Sequence, residues 1–230
     1  MNSRVLEPIP FRIDEEQLRQ KLRIKDRSDY ISKLQRLVDE AQAIGKPKAL
    51  YRAVFIESKM DDRVVINGTV FTSRVLRVNL DKVYRVFPFV ATCGVELETW
   101  SSSTQDMLQK YWVDMIKEAA LRMAIEYLEK HLIEKYRLVK ISRMNPGSLP
   151  DWPLSEQQPL FAILGKGTES IGVQLTDHCL MIPIKSVSGI WFPTEESFES
   201  CRLCPREQCP GRRTPYDQGL YDRKYGKVKE

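Results

Sequence analysis

Three cysteines fall within nine residues, Cys201, Cys204 and Cys209. A Cys-x-x-Cys step lets two sulfurs chelate one metal ion or one edge of a cluster, and four intervening residues bring a third sulfur round. The Cys204-Pro205 and Cys209-Pro210 steps suit iron–sulfur ligation, and neighbouring arginines offset thiolate charge. Zinc and an iron–sulfur cluster both satisfy the pattern. A fourth sulfur comes best from Cys179, with Cys93 next; a three-thiolate cluster with an open iron is the other arrangement. Reactive or merely structural thiols are the plain alternative. His131 and His178 read as packed or surface side chains rather than ligands.

Two further groupings carry chemistry. Asp114 and Glu118 stand four residues apart in a helical pattern, on one face, where like charges repel unless a cation or donor lies between them. A sulfonium, an amino group or ribose hydroxyls would serve; two solvated carboxylates are the ordinary reading. Near the end of the apolar sequence, Ser186-Val187-Ser188-Gly189 leads into Ile190-Trp191-Phe192. A glycine there admits close approach to the backbone, and the aromatics offer a flat apolar surface to a heterocycle. A hairpin with a core tryptophan explains the same residues without a ligand.

These side chains need a scaffold, and 230 residues with 42% hydrophobic and 29% charged content supply an ordinary globular core. No apolar run reaches the roughly 18 residues of a membrane helix. Met1–Pro8 lacks the apolar stretch of a signal peptide, so a cytoplasmic protein is expected. In that reducing compartment five cysteines argue against disulfides. The net charge is +5, and residues 202–230 hold eight Lys/Arg against four Asp/Glu, or +4 of it. The rest of the chain has no uniform basic face, which argues against a nucleic-acid binder.

Residues 14–44 read as two amphipathic helices broken near Lys25-Asp26, the second stopped by Gly45 and Pro47. Short β-branched runs follow at 53–56, 64–66, 69–71 and 75–78, and Asn67-Gly68 is a hairpin signal. Val83–Cys93 reads as a further strand. From about Ser103 to Leu138 the pattern is one long helix. Leu108, Trp112, Met115, Ala119, Met123 and Tyr127 form its stripe, widened by Leu121, Ile125, Leu128 and Leu132. A loop from Pro146 to Pro153, a short helix capped by Ser155 and running to Leu164, and strands between Ile171 and Phe192 complete the core. Segregated helices and strands predict an α+β fold with a mainly antiparallel sheet and long helices. The expected division is residues 1–196 as the α+β domain and 197–230 as a Cys-rich, basic appendage held by whatever the cysteines bind.

Several stretches together resemble the reactivation domain of cobalamin-dependent methionine synthase. They are Asp114-Met115-Ile116-Lys117-Glu118, the loop Arg143-Met144-Asn145-Pro146-Gly147, the run from Gln157 through Leu175-Thr176, and the Ser-Val-Ser-Gly-Ile-Trp-Phe segment. The match covers about residues 106–193, and the chain is similar to free-standing relatives that end in a Cys-x-x-Cys-x-x-x-x-Cys segment. The resemblance implies S-adenosylmethionine binding. Arg143, with Pro146 and Gly147, would hold the carboxylate end; Asp114 and Glu118 would face polar groups, with Gly189, Trp191 and Phe192 forming a wall. Where the family has a tyrosine after the loop glycine, this chain has Ser148-Leu149; Trp152 is the nearby ring. The implied function is reductive reactivation of a corrinoid methyltransferase, such as a methionine synthase without its own reactivation domain. The partner would supply cobalamin, and a flavodoxin or ferredoxin would supply the electron through an iron–sulfur relay. The competing expectation is a non-catalytic corrinoid-protein binding module with structural zinc.

Overall fold

Every strand pairing among the described residues is antiparallel. The computed structural model describes residues 3–24, 28–209 and 211–226. In chain order its elements are β1 (Arg4–Leu6), α1 (Glu15–Leu22), α2 (Ser28–Ile44), β2 (Lys48–Tyr51), β3 (Val54–Met60), β4 (Arg63–Ile66), β5 (Thr69–Thr72), α3 (Arg74–Asn79) and β6 (Arg85–Thr92). There follow α4 (Val95–Ser102), α5 (Met107–Tyr136), β7 (Ile141–Met144), α6 (Gln157–Leu164), α7 (Gly167–Ser170), β8 (Gln174–Leu175), β9 (Met181–Ile182) and β10 (Ser186–Pro193). The fold is α+β, an antiparallel sheet packed with long helices. No helix among the described residues is long and apolar enough to cross a membrane.

β6 is the central strand because nearly all its side chains are apolar and buried on both faces. One edge pairs with β10, from Ser186↔Thr92 to Trp191↔Phe87. The other edge changes partner midway: β3 takes Arg85 and Val86, and β2 takes Phe89 to Thr92. Pro88, which has no N–H to give, falls at that handover, so the missing donor costs the sheet little. β7 closes the far side of β10, with Trp191 opposite Arg143 and Ile190 opposite Met144.

α5 covers one face of this sheet, and its two ends do different work. Leu121, Ala124, Leu128 and Leu132 pack on Tyr51, Phe87, Phe89 and Trp191. Trp112, Val113, Ile116 and Ala120 instead meet α1, α2 and α4. The buried stripe therefore differs from the expected one: Leu108 and Tyr127 are exposed, and Met115 and Met123 are only partly covered. α6 and the following residues cover the opposite sheet face through Leu160, Ile163, Leu164, Ile171 and Val173.

Two local expectations change. Residues 75–78, read as a strand, lie in α3, because Ser73 accepts from the Leu76 backbone N–H at 2.9 Å and caps a helix there. The short helix ending at Leu164 begins at Gln157 after a 3₁₀ turn containing Ser155, without a side-chain cap. The Asn67-Gly68 turn joins β4 to β5 with both residues at positive φ, as a type I′ hairpin requires. The break expected at Lys25-Asp26 lies outside the described residues, between α1 and α2.

The C-terminal segment is packed by apolar burial. Phe198 and Tyr225 are buried in the core formed by α3, α6 and the β3–β5 strands, and Leu203, Cys204 and Leu220 pack against it. Tyr225 also donates its hydroxyl to Asn79 Oδ1 at 3.0 Å and accepts at its carbonyl from Arg74 Nε at 3.0 Å. The cysteines thus do not hold the segment alone.

Candidate functional site

The cross-strand pair of β7 and β10 is the most suggestive feature. The Arg143 guanidinium lies 4.9 Å from the ring centre of Trp191, a cation–π stack on an indole that is 3% exposed. Among the described residues Arg143 makes no hydrogen bond and no direct ion pair, and the Trp191 Nε1 donor is buried without a partner. Burial and the charge of Arg213 lower the pKa of Arg143, while Glu129 and Glu199 work the other way. Glu129 in turn is pushed up by burial and pulled back by Arg143. A guanidinium over an indole with its donor fork unclaimed can bind a planar anion such as a carboxylate with two parallel hydrogen bonds.

The aromatic pair does not form one wall. Successive strand residues point to opposite faces, so Trp191 joins the α5 side and Phe192 is buried on the other side with Met144, Leu160 and Trp152. Nor does Gly189 leave room for a ligand. A Cβ there would come within 2.5 Å of Asn145 Nδ2 and closer still to the Met144 carbonyl oxygen. The missing side chain serves the approach of β7, which Asn145 secures by donating to the Ser188 carbonyl at 2.7 Å.

Asp114 and Glu118 do share a helix face with a cation between them, and that cation is Lys185. Its Nζ lies 2.9 Å from Asp114 Oδ2 and 3.7 Å from Glu118 Oε2. Glu118 also meets Arg122 Nε at 3.3 Å. Glu129, whose charge reaches Arg143, is eleven residues further along α5, about 16 Å at the helical rise. The acidic pair is thus engaged with Lys185, whereas Arg143 lies on β7 against Trp191. Nothing in the sequence pattern ties Lys185 to α5.

The loop after Arg143 is tightly built. Gly147 adopts φ +81° and its N–H donates to the Trp152 carbonyl at 2.8 Å; Pro146 is buried. Asp151 accepts from Ser73 Oγ and, at 3.0 Å, from the Val75 N–H, which pins the loop to the start of α3. Trp152 is fully buried, edge-on to Phe71, so it offers no ring to a ligand in place of the family's tyrosine.

The cysteines do not assemble. Among the described residues no three of His, Cys, Asp and Glu are grouped so as to hold a metal ion. Cys179 is buried in the β8–β9 turn at φ 59°, Cys204 packs on the apolar core, and Cys93 is buried beside α5. What ties the described residues of this segment together is Arg212. Its guanidinium donates to the carbonyls of Cys201 (3.1 Å), Cys204 (3.2 Å), Thr214 (3.3 Å) and Arg206. The described thiols thus do not fit a zinc ion or an iron–sulfur cluster as they stand. His131 serves Tyr51 instead of a metal, its Nε2 lying 3.0 Å from the phenol oxygen.

A groove of about 410 Å³ lies elsewhere, between residues 12–21 and the outer face of α5, floored by Met115, Ala119 and Met123. It reaches Glu118 but not Arg143, Gly189, Trp191 or Phe192.

Residues 117–209 match the family of the vitamin B12 dependent methionine synthase activation domain. Among solved structures, the crystal structure of the MetH reactivation domain bound to AdoHcy is similar with a TM-score of 0.61. That likeness covers 87% of this chain and 81% of that one, at 16% sequence identity. No curated protein matches. The family match covers under half of the chain, and the chain shares the fold of that reactivation domain.

Proposed function

We propose that this protein binds S-adenosylmethionine beside β7 and β10 and presents it to a corrinoid-carrying methyltransferase, restoring that partner after oxidation of its cobalt. The observation that carries the reading is the unclaimed guanidinium of Arg143 stacked on Trp191, within the stretch that matches the activation-domain family. That the related reactivation domain was crystallised with AdoHcy supports the same ligand class here.

S-adenosylmethionine would supply the methyl group that traps reduced cobalt. The chain's own work is positioning: Arg143 holds the carboxylate, Trp191 fixes the guanidinium plane, and the Pro146-Gly147 turn sets the loop. The Lys185 clamp joins α5 to the start of β10 and keeps the two elements in register. In this reading residues 1–196 form the activation-domain-like unit and 197–230 an addition to it. The partner is a methionine synthase lacking its own reactivation domain, and a flavodoxin or ferredoxin delivers the electron to it directly. An iron–sulfur relay at Cys201, Cys204 and Cys209 has no place in the reading, since those thiols are not grouped. Structural zinc in a non-catalytic binding module loses support for the same reason.

Calorimetric titration of the protein with S-adenosylmethionine tests the site. Wild type should bind, and Arg143→Ala should weaken binding about tenfold or more, the scale of a lost charge-assisted hydrogen bond. Absent binding, or binding indifferent to the substitution, would overturn the assignment. Recovery of an oxidised corrinoid methyltransferase on adding this protein, reductant and S-adenosylmethionine tests the activity.

A further inference from the structure

The three C-terminal thiols do not converge on a metal, yet two of them stand one helical turn apart. Ser200–Leu203 forms a 3₁₀ turn, and the Cys204 N–H closes it by donating to the Cys201 carbonyl at 3.3 Å. Side chains three residues apart on such a turn eclipse, and the rise of three residues separates their Cα atoms by about 6 Å. That separation lies inside the span a disulfide bridges without moving the backbone.

Arg212 fixes the same pair from outside the turn. Its guanidinium donates from Nη1 to the Cys201 carbonyl at 3.1 Å and from Nη2 to the Cys204 carbonyl at 3.2 Å. Both nitrogens belong to one rigid plane, so the two cysteine backbones stay together whatever the sulfurs do. Both thiols are free and partly exposed. Their surroundings differ: Cys204 packs against the apolar core together with Leu203, whereas Cys201 joins none of the apolar clusters among the described residues. Cys201 is therefore the sulfur an incoming reagent meets first, and Cys204 stands behind it.

We propose that Cys201 and Cys204 form a thiol–disulfide exchange site for small disulfides of the glutathione class. The Cys201 thiolate attacks one sulfur of the small disulfide; that S–S bond breaks, and one small thiolate departs and takes up a proton. The Cys204 thiolate then attacks Cys201 Sγ and expels the second small thiol. Two protein thiols have lost two electrons and two protons, and the small disulfide has become two thiols. Cys209 stands outside the turn, five residues beyond Cys204, and takes no part. The exchange site is independent of the proposed function, since it needs neither Arg143 nor a bound nucleoside.

The test is to treat the reduced full chain with oxidised glutathione, block remaining thiols by alkylation, and analyse tryptic peptides by mass spectrometry. Trypsin cuts after Arg202, between the two cysteines, so a bridge appears as two peptides joined through sulfur. Wild type should give the Cys201–Cys204 bridge with no glutathione attached, and excess dithiothreitol should open it again. Cys204→Ser should accumulate glutathione on Cys201, Cys201→Ser should react at least about tenfold more slowly, and Cys209→Ser should behave like wild type. A wild-type chain that keeps glutathione on Cys201 without forming the bridge would overturn the proposal. So would a bridge to Cys209 in place of Cys204, or stoichiometric zinc or iron retained by the purified chain and lost in Cys201→Ser. The wild-type arm decides the matter even if a variant fails to fold.

Discussion

Lys185 and Asp114 meet at 2.9 Å across the gap between β10 and α5, with Glu118 sharing the ammonium group at 3.7 Å. One lysine answers two carboxylates that would otherwise repel along the helix. The pairs are partly exposed, so a double-mutant cycle of Lys185→Gln with Asp114→Asn should give a coupling of about 0.5–1 kcal/mol in urea denaturation, shrinking at high salt. A coupling near zero would mean that the two charges are screened and merely adjacent.

Gly189→Ala should be costly although alanine is the smallest change available. The new Cβ would press on the Met144 carbonyl and Asn145, so β7 must move away from β10. We expect a loss of about 1–3 kcal/mol, the usual range for overpacking, measured by chemical denaturation. If the ligand were the true reason for the glycine, stability would be unchanged and only binding would fall.

The five cysteines should differ widely toward an alkylating reagent. Burial by itself would raise Cys201, but the backbone N–H groups of Arg213 and Thr214 and the Arg213 charge outweigh it, leaving the thiol below its usual range. Cys93 is pushed up to about 12 by burial, with Glu98 adding to the effect. Mass spectrometry after timed alkylation at neutral pH should find Cys201 modified first and Cys93 last, at least about a hundredfold apart. Comparable rates at the two positions would contradict this arrangement.

His131 makes stability depend on pH in mild acid. Burial, then the charges of Lys135 and Arg4, lowers its pKa below the ordinary 6.5. The folded state thus holds the proton less tightly than the unfolded chain. The stabilisation is complete above pH about 6.5 and fades as pH falls through the lowered folded value. Thermal denaturation across that window should show wild type losing stability on acidification, and His131→Gln should flatten that part of the curve.

Much of the architecture could be read from residue order, because periodicity reports burial. The central strand, the Asn67-Gly68 hairpin and the long helix all follow from local pattern. α3 did not, since Val75-Leu76-Arg77-Val78 has strand composition and only the Ser73 cap, braced by Asp151 from a distant loop, turns it into helix. The α5 stripe was misplaced because the helix is wedged between two different neighbours, and a single-face pattern cannot describe it. At the site, residue types were legible and their company was not. Asp114 and Glu118 called for a cation, yet chain order could not say that Lys185 provides it. Trp191 and Phe192 adjoin in sequence and are parted by the pleat. Arg143 meets the Trp191 ring across a strand pair distant in sequence, a relation that only folding creates.

The grip of Arg212 on four carbonyls has a consequence for the life of the segment it shapes. Main-chain oxygens do not oxidise, do not exchange with cellular thiols and do not depend on the supply of a trace element. The outline of the loop therefore rests on main-chain contacts that need neither a disulfide nor a bound metal.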